Sequence, residues 1–404
     1  MKTDIPLLFA TRIVRMFGYG FLSVVLALYL AQRGIGEGEI GLLFTLTLAG
    51  DAGITLWITT TADRLGRRRM LIIGAALMIL AGVIFSLTGN YILLVITATI
   101  GVISPSGNEI GPFLSIEQAS LTQLLPDGRR TQFFAWYNLV GSFATATGAL
   151  AGGGLAQLLQ AGGYTPLNSY RAVVLGYTLI GIILSILFLR LSQAVEAPNI
   201  EQAVPIQRLF GLHRSRQVVF RLSSLFAIDA FAGGLVVQSM VAYWFNIKFG
   251  VQPAVLGSIF FGANVLAGVS ALSAAWIARR IGLINTMVFT HIPSNILLIL
   301  VPFMPTLPLA IIVLLLRFSI SQMDVPTRQS YTMAVVSPDE RSAAMGVTSI
   351  ARSMGATLSP AITGQFLALP ALIGAPFVIA GGLKIVYDLL VWKGFSAVKP
   401  PEER

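Results

Sequence analysis

The chain has 404 residues, of which 55% are hydrophobic and 11% charged, with a mean hydropathy of +0.80. Soluble globular chains carry about 25% charged residues, so this composition excludes an ordinary soluble domain and points to a polytopic membrane protein. The formal net charge of +10 sits mostly between apolar segments, which favours an orientation signal over nucleic-acid binding; the lack of cysteine excludes disulfides, thiolate metal sites and a cysteine nucleophile.

Each membrane-spanning helix needs about 20 apolar residues. In chain order, such helices are expected at 7–31, 40–62, 69–89, 91–124, 132–160, 170–191, 218–247, 253–278, 283–303, 306–336, 342–368 and 372–395. The first follows Lys2 as a signal peptide would. Its run is too long, however, and it enters the polar turn "QRGIGEGE" without a clear cleavage site, so it reads as a membrane helix. The fourth and tenth exceed what a bilayer requires, and Pro105, Pro112 and Pro326 are expected to bend them. Loops after even-numbered spans hold Arg64, Arg67, Arg68 and Arg69, then Arg129 and Arg130, then Arg208, Arg214, Arg216 and Arg221, then Arg279 and Arg280, then Arg341. Loops after odd-numbered spans hold only Arg33, Arg171 and Lys248. This bias is expected to place both termini in the cytoplasm.

The longest polar segment separates two sets of six spans, giving an N-terminal bundle at 1–191, a cytoplasmic central loop at 192–217 and a C-terminal bundle at 218–404. The halves resemble each other. "LFATR" at Leu8–Arg12 matches "LFAID" at Leu225–Asp229, and "QASLTQLLPDGRR" at Gln118–Arg130 matches "QSYTMAVVSPDER" at Gln329–Arg341. "RLGRR" at Arg64–Arg68 has a worn counterpart in "RIGLI" at Arg280–Ile284. Three matches in one order argue for duplication of a six-helix unit, the plan of many secondary transporters.

The loop "ADRLGRRRML" resembles the signature that the major facilitator superfamily carries after its second helix, Gly-x-x-x-Asp-Arg-x-Gly-Arg-Arg/Lys. Asp63, Arg64, Gly66, Arg67 and Arg68 fall on it, and Thr59 replaces the leading glycine. "PDERSAAMG" at Pro338–Gly346 is similar to the loop after helix ten of that family. The resemblance covers the whole chain. It implies an all-α integral membrane protein of twelve transmembrane helices, two pseudo-symmetric six-helix bundles around a central cavity, and alternating access. It also implies that Asp63 and Arg67 form charge pairs in one state and break them in the other, while Arg68 and Arg69 hold the loop in the cytoplasm. "ATATGALAGG" at Ala144–Gly153 resembles a helix-five signature of proton-driven exporters, with Ala144 and Ala149 in place of a glycine and a proline; "GATLSPAITG" at Gly355–Gly364 occupies the matching place in helix eleven. The alternative reading of these glycines is small-residue packing between helices.

In that fold, helices one, four, seven and ten line the cavity. An ionisable group at the bilayer centre costs about 2.5–3.5 kcal/mol on insertion scales, so each one there needs a partner or a task. On helix one, Arg12, Arg15 and Tyr19 share a face. Helix four carries Glu109 in "SPSGNEIGP", a stretch expected to break the helix, and Glu117 nearer its end, expected to cap or to meet a loop arginine. On helix seven, Asp229 occupies the place of Arg12 in the repeat, so the two can pair across the pseudo-symmetry axis. On helix ten, Arg317, Ser321, Asp324 and Arg328 form one polar stripe, and its alternative reading is a closed Arg317–Asp324 or Asp324–Arg328 pair that only neutralises charge. Asp51 on helix two has no basic neighbour in sequence and is a candidate proton carrier. His291 on helix nine reads as a satisfied packing residue, and Arg352 and Lys384 sit in helices eleven and twelve.

The function expected is secondary transport of a small organic solute. The leading reading is proton-coupled efflux, with Asp324, Asp229, Asp51 and Glu109 as proton-coupling candidates and Arg317, Arg328, Arg12, Arg15, Ser321 and Tyr19 as cavity candidates. The alternative is uptake of an organic anion clamped by Arg12, Arg317 and Arg328. An enzyme or receptor is a distant third: there is no His-Glu metal pattern, no Gly-x-Ser-x-Gly elbow and no phosphate loop. The expected partners are a small-molecule substrate, protons and the lipid bilayer, with no cofactor, metal or nucleic acid. The expected state is a monomer, and the short loops suggest a prokaryotic inner membrane.

Overall fold

The computed structural model describes residues 4–109, 111–125, 130–196, 212, 214–337 and 340–396. Among these residues every extended element is helical, as an apolar solvent that cannot hydrogen-bond the backbone demands. The first span is α1 (Asp4–Ser23) with α2 (Leu26–Gln32), the second α3 (Glu37–Leu65) and the third α4 (Arg67–Leu87). The fourth is α5 (Tyr91–Ile100) with α6 (Phe113–Leu124), the fifth α7 (Arg130–Ala161) and the sixth α8 (Pro166–Leu189). The seventh is α9 (Arg216–Gly234) with α10 (Gln238–Phe249), the eighth α11 (Pro253–Ile281) and the ninth α12 (Leu283–Leu300). The tenth is α13 (Leu307–Ile320) with α14 (Asp324–Val335), the eleventh α15 (Arg341–Leu367) and the twelfth α16 (Ala375–Phe395). Ten of these spans are long and apolar enough to cross a membrane, with Tyr91–Ile100 a shorter apolar helix. The remaining one, α15, has the length, at 27 residues, and a more polar sequence.

Spans one, four, seven and ten are the broken ones. Prolines account for two of the breaks: Pro105 and Pro112 lie in the gap between α5 and α6, and Pro326 is the third residue of α14, where it has no N–H to offer a carbonyl of the gap before it. The breaks in spans one and seven contain no proline; the latter follows Gly233 and Gly234. Freed backbone groups find partners. Tyr177 donates its hydroxyl to the carbonyl of Val102, and Ser104 Oγ donates to that of Asn108 at 2.8 Å. The N–H of Gly111, a residue at φ +79°, donates to Asp51 Oδ1 at 2.7 Å. Ser239, just past the break in span seven, donates its N–H to Pro105 O at 2.9 Å and its hydroxyl to both Pro105 O and Ser23 O at 2.7 Å. An irregular segment without water would otherwise leave several orphan polar groups.

The chain divides into two compact units. One comprises Met1–Glu201 with Val237–Asn264, and the other Gln202–Val236 with Val265–Arg404. The segment from Val237 to Asn264 groups with the first because Ser239, Gln238 and Tyr243 are tied to Pro105, Ser23 and Glu37. In the second unit, Leu222, Phe226, Met287, Tyr331, Tyr387, Val391 and Phe395 make an aromatic-rich core.

Both units use glycine to bring two helices together at backbone distance. A Cβ at Gly20, Gly148 or Gly152 would strike the carbonyls of Thr145, Phe17 and Phe21, so α1 and α7 can meet only without side chains there. On the other face of α7, Gly153 lies against Pro253 and Gly257 in the same unit. In the second unit, Gly355 sits against the carbonyl of Ala227 and Gly234 against that of Ala356, joining α9 to α15. The glycines of the helix-five and helix-eleven signatures therefore have a packing role. Gly148→Ala is expected to lower unfolding stability by about 1–3 kcal/mol through forced separation of α1 and α7. Gly154→Ala, on the same helix but with nothing within 4 Å, should cost none. Thermal unfolding of the two purified variants tests this.

Candidate functional site

Each unit holds its own cluster of buried charges. In the first, Arg12 and Arg15 are three residues apart on α1, so they project from one side of it. Arg15 is wholly buried. It donates from Nη1 and Nη2 to Glu117 at 2.8 and 2.6 Å, and from Nε to Glu109 at 2.8 Å. Arg12 forms an ion pair with Glu109 and lies over the ring of Tyr137, 4.9 Å from its centroid. Thr11 donates to Glu117 at 2.7 Å, and Tyr137 donates its hydroxyl to the same carboxylate. Two cations thus meet two carboxylates, and the set is neutral. Glu109 reaches it from the irregular segment that the prolines of span four create. Glu117 was expected at a helix cap or on a loop arginine; it is instead completely buried against α1.

In the second unit, Asp229 on α9 is the hub. Its Oδ1 accepts from Lys384 Nζ of α16 at 2.5 Å. Its Oδ2 accepts from Arg328 of α14 at 3.1 Å and from Arg352 of α15 at 3.0 Å. Arg328 also donates to Asp324, one turn earlier on α14, at 2.9 Å. Three helices are thereby fastened to a carboxylate on a fourth. Arg12 and Asp229 each find their partners within their own unit, Arg12 on Glu109 and Asp229 on these three cations, in place of the mutual pair that the repeat suggested. Sequence spacing left Arg317–Asp324 and Asp324–Arg328 open as pairs on helix ten, and the bond is found in the second. Spacing gave no hint that Arg352 and Lys384 converge on Asp229, because they come from positions 123 and 155 residues away.

The other candidates are distributed as follows. The stripe on helix ten is interrupted between α13 and α14, leaving Arg317 on α13 and Ser321 in the gap. Arg317 is half-buried and stacks on Phe318 at 4.8 Å. Its Nε has no hydrogen-bond partner, and among the described residues no carboxylate pairs with it. The hydroxyl of Ser321 also lacks a partner. Asp51 holds Gly111 N–H and Thr55 Oγ1, the latter at 3.5 Å, with no cation at hand among the described residues. Tyr19 is fully enclosed in the first unit. His291 Nδ1 lies 2.8 Å from Asp388 Oδ1, and Asn295 donates to Asp388 Oδ2 at 3.0 Å. Asp388 escaped the sequence reading altogether.

The arginine-rich loop is organised by a residue outside it. Gly66 turns the chain at φ +101° between α3 and α4. Asp63 accepts from Arg67 Nε at 2.8 Å, but its side chain is 64% exposed, so this pair is worth little. Arg64 is exposed, and Arg68 donates to the carbonyl of Leu189. Glu196 accepts from the backbone N–H of Arg67 at 2.6 Å and of Arg68 at 3.2 Å, placing a carboxylate on the N-terminus of α4. Arg67 reaches back to Gln123 Oε1 at 3.1 Å. In the second unit, buried Glu340 similarly accepts from the N–H groups of Arg214 and Ser215, just before α9, both at 2.8 Å. Sequence reasoning missed both glutamates as ligands of helix ends, since neither lies within the helix it binds.

The hub makes a measurable claim. Asp229→Asn leaves three cations without their common carboxylate and is expected to cost about 3–5 kcal/mol of unfolding stability. Adding Lys384→Met should recover more than half of that, and Lys384→Met alone should be mild. Additive losses in this double-mutant cycle would show that the residues do not act together.

The sequence profile of the Major Facilitator Superfamily matches residues 8–360. The chain is 33% identical over 417 residues to the uncharacterized membrane protein YJR124C of Saccharomyces cerevisiae, covering 96% of this chain and 93% of that protein. Its fold is similar to a bacterial homologue of the human lysosomal transporter Spinster, in an inward-facing and unoccupied conformation, with a TM-score of 0.75, 15% identity and 98% of both chains covered. It is also similar to a D-xylose-proton symporter, with a TM-score of 0.74, 15% identity and coverage of 96% of this chain and 97% of the other. Twelve helical spans and a matching profile over most of its length place this membrane protein in the Major Facilitator Superfamily.

Proposed function

We propose that the protein is a proton-coupled secondary transporter of a small organic anion. Rocking of its two six-helix halves would expose the solute site alternately to each side of the membrane, with both termini in the cytoplasm. The observation that carries this reading is Arg317. The carboxylates Glu109, Glu117, Asp229 and Asp324 all have cationic partners, so none of them is left free for a cationic solute. Arg317 is the cation left over. Around Asp229 and Asp388, the four cations Arg317, Arg328, Arg352 and Lys384 face the three carboxylates Asp229, Asp324 and Asp388. A planar guanidinium with a free Nε suits a carboxylate or phosphate group, and the adjacent Ser321 hydroxyl adds a hydrogen bond. Arg352, whose side chain is 33% exposed, supplies a second cation that can lean from Asp229 to the solute.

One observation favours a second reading, proton-coupled efflux of a cation. Asp51 is a carboxylate held by a backbone N–H and a hydroxyl and by no cation among the described residues, so it can exchange a proton for a cationic solute.

Thermal stability separates the two. A ligand that binds only the folded state stabilises it by RT ln(1 + [L]/Kd), about 2.7 kcal/mol at a hundredfold excess over Kd. The panel contains benzoate, citrate and glucose 6-phosphate as anions, and ethidium and tetraphenylphosphonium as lipophilic cations. The anion reading predicts stabilisation by at least one anion, abolished by Arg317→Ala and much weakened by Arg317→Lys. Stabilisation by the cations alone, lost in Asp51→Asn, would replace it with the efflux reading.

A further inference from the structure

The second unit contains a buried ionisable pair to which the reading above gives no role beyond the charge of Asp388. His291 lies on α12 and Asp388 on α16, both almost fully enclosed. His291 Nδ1 and Asp388 Oδ1 are 2.8 Å apart, and Asn295 Nδ2 fixes the second carboxylate oxygen at 3.0 Å. With Asp388 ionised, the hydrogen of the neutral imidazole sits on Nδ1 and is donated to the carboxylate. Nε2 is then the atom that can accept a proton. Tyr387 presents its ring edge-on to His291, with centroids 6.2 Å apart. The Oδ1 of Asn295 is a buried acceptor with no donor.

This pair is wired to the hub. Lys384 stands one turn before Asp388 on α16 and bonds Asp229 at 2.5 Å. Lys384 therefore lies between two carboxylates, Asp388 on its own helix and Asp229 on α9. The charged and titratable groups on the elements packed around the pair are Lys384, Tyr387 and Lys393 of α16, Arg216, Arg221 and Asp229 of α9, Asp324, Arg328 and Tyr331 of α14, Arg317 of α13, and Arg341 and Arg352 of α15. Beyond Asp388 itself, the nearest to it in this chain of contacts are Lys384 and, through it, Asp229.

We propose that His291 and Asp388 form the proton-binding site of this transporter, and that Lys384 passes its charge state to Asp229. The proposal rests on the proton-coupled reading and names its site. With His291 neutral, Asp388 carries an uncancelled charge and competes with Asp229 for Lys384. When a proton adds to Nε2, the imidazolium cancels that charge and Nδ1–H stays on the carboxylate. Lys384 is then given wholly to Asp229, whose hold on Arg352 weakens in turn. One more cation becomes available to an anionic solute, so proton binding and anion binding favour each other. Linkage makes the effect reciprocal.

The test needs no solute, because the probe is the proton. The chain has 2 histidines. His213→Gln leaves His291 as a single reporter, and its protonation can be followed by nitrogen NMR of labelled protein in lipid nanodiscs between pH 4.5 and 9. The proposal predicts one reversible titration of His291 in that range. Asp388→Asn should weaken its proton affinity by about tenfold or more, a shift of about one pH unit. Lys384→Met should strengthen it by a similar factor, and Lys384→Arg should leave it near the parent value. Unfolding measurements on the same samples confirm that each variant is folded; Asn295→Ala, which removes a neutral contact to Asp388, serves should Asp388→Asn fail to fold, and predicts a smaller shift in proton affinity. A His291 that keeps one protonation state throughout, or one whose titration ignores both Asp388 and Lys384, overturns the proposal. Such a failure leaves the anion reading standing, while a panel in which no anion stabilises the protein removes that reading without touching the titration.

Discussion

A charge buried in apolar surroundings must be paired, and in the second unit that demand falls on one carboxylate. Asp229 receives Lys384, Arg328 and Arg352 from three different helices. Removing a partner from such a set leaves an uncompensated charge, which costs more than the pairs gain over apolar packing. Asp229 is thus a constraint on where α14, α15 and α16 can lie relative to α9. The first unit solves the same problem with a closed set, two arginines of α1 against two glutamates of span four. The cluster of two arginines and two glutamates is neutral and complete; the second unit has Arg317 to spare.

The charges reach these positions because the spans that carry them are broken. Glu109 lies in the irregular segment between α5 and α6, Asp324 opens α14 after the gap in span ten, and Asp229 lies five residues before the end of α9. An acidic first-turn residue such as Asp324 also favours the N-terminus of its helix. Breaking a membrane helix exposes backbone groups, and here Asp51, Ser239, Tyr177 and Ser104 take them up around span four. The close glycine contacts of α1 with α7 and of α9 with α15 hold the neighbouring helices near enough for side chains as short as aspartate to reach across. Asp51 accordingly has structural work as the holder of Gly111, whatever it does in transport.

Much of this was legible in the sequence because it follows from local rules. Apolar run length gave the twelve spans, and prolines located two of the four breaks. Spacing on helix ten narrowed the partner of Asp324 to Arg317 or Arg328, and the bond goes to Arg328. The breaks in spans one and seven lack a proline and were not foreseen. The partners of Asp229 were not legible, since a contact between residues 155 apart has no local signature. Glu196 and Glu340 were missed for a related reason: a carboxylate that binds the end of another helix looks, in sequence, like any loop acid. The arginine-rich loop drew attention through its side-chain charge, yet it is also fastened by its backbone, whose N–H groups at Arg67 and Arg68 donate to Glu196.

The central claim is that the surplus cation at Arg317 receives an anionic solute. Charge movement in proteoliposomes on a solid-supported membrane reads this directly. Jumps in organic-anion concentration at constant pH are predicted to evoke transient currents in the parent protein and none in Arg317→Gln. Currents evoked by lipophilic cations instead, undiminished in Arg317→Gln, would contradict the account.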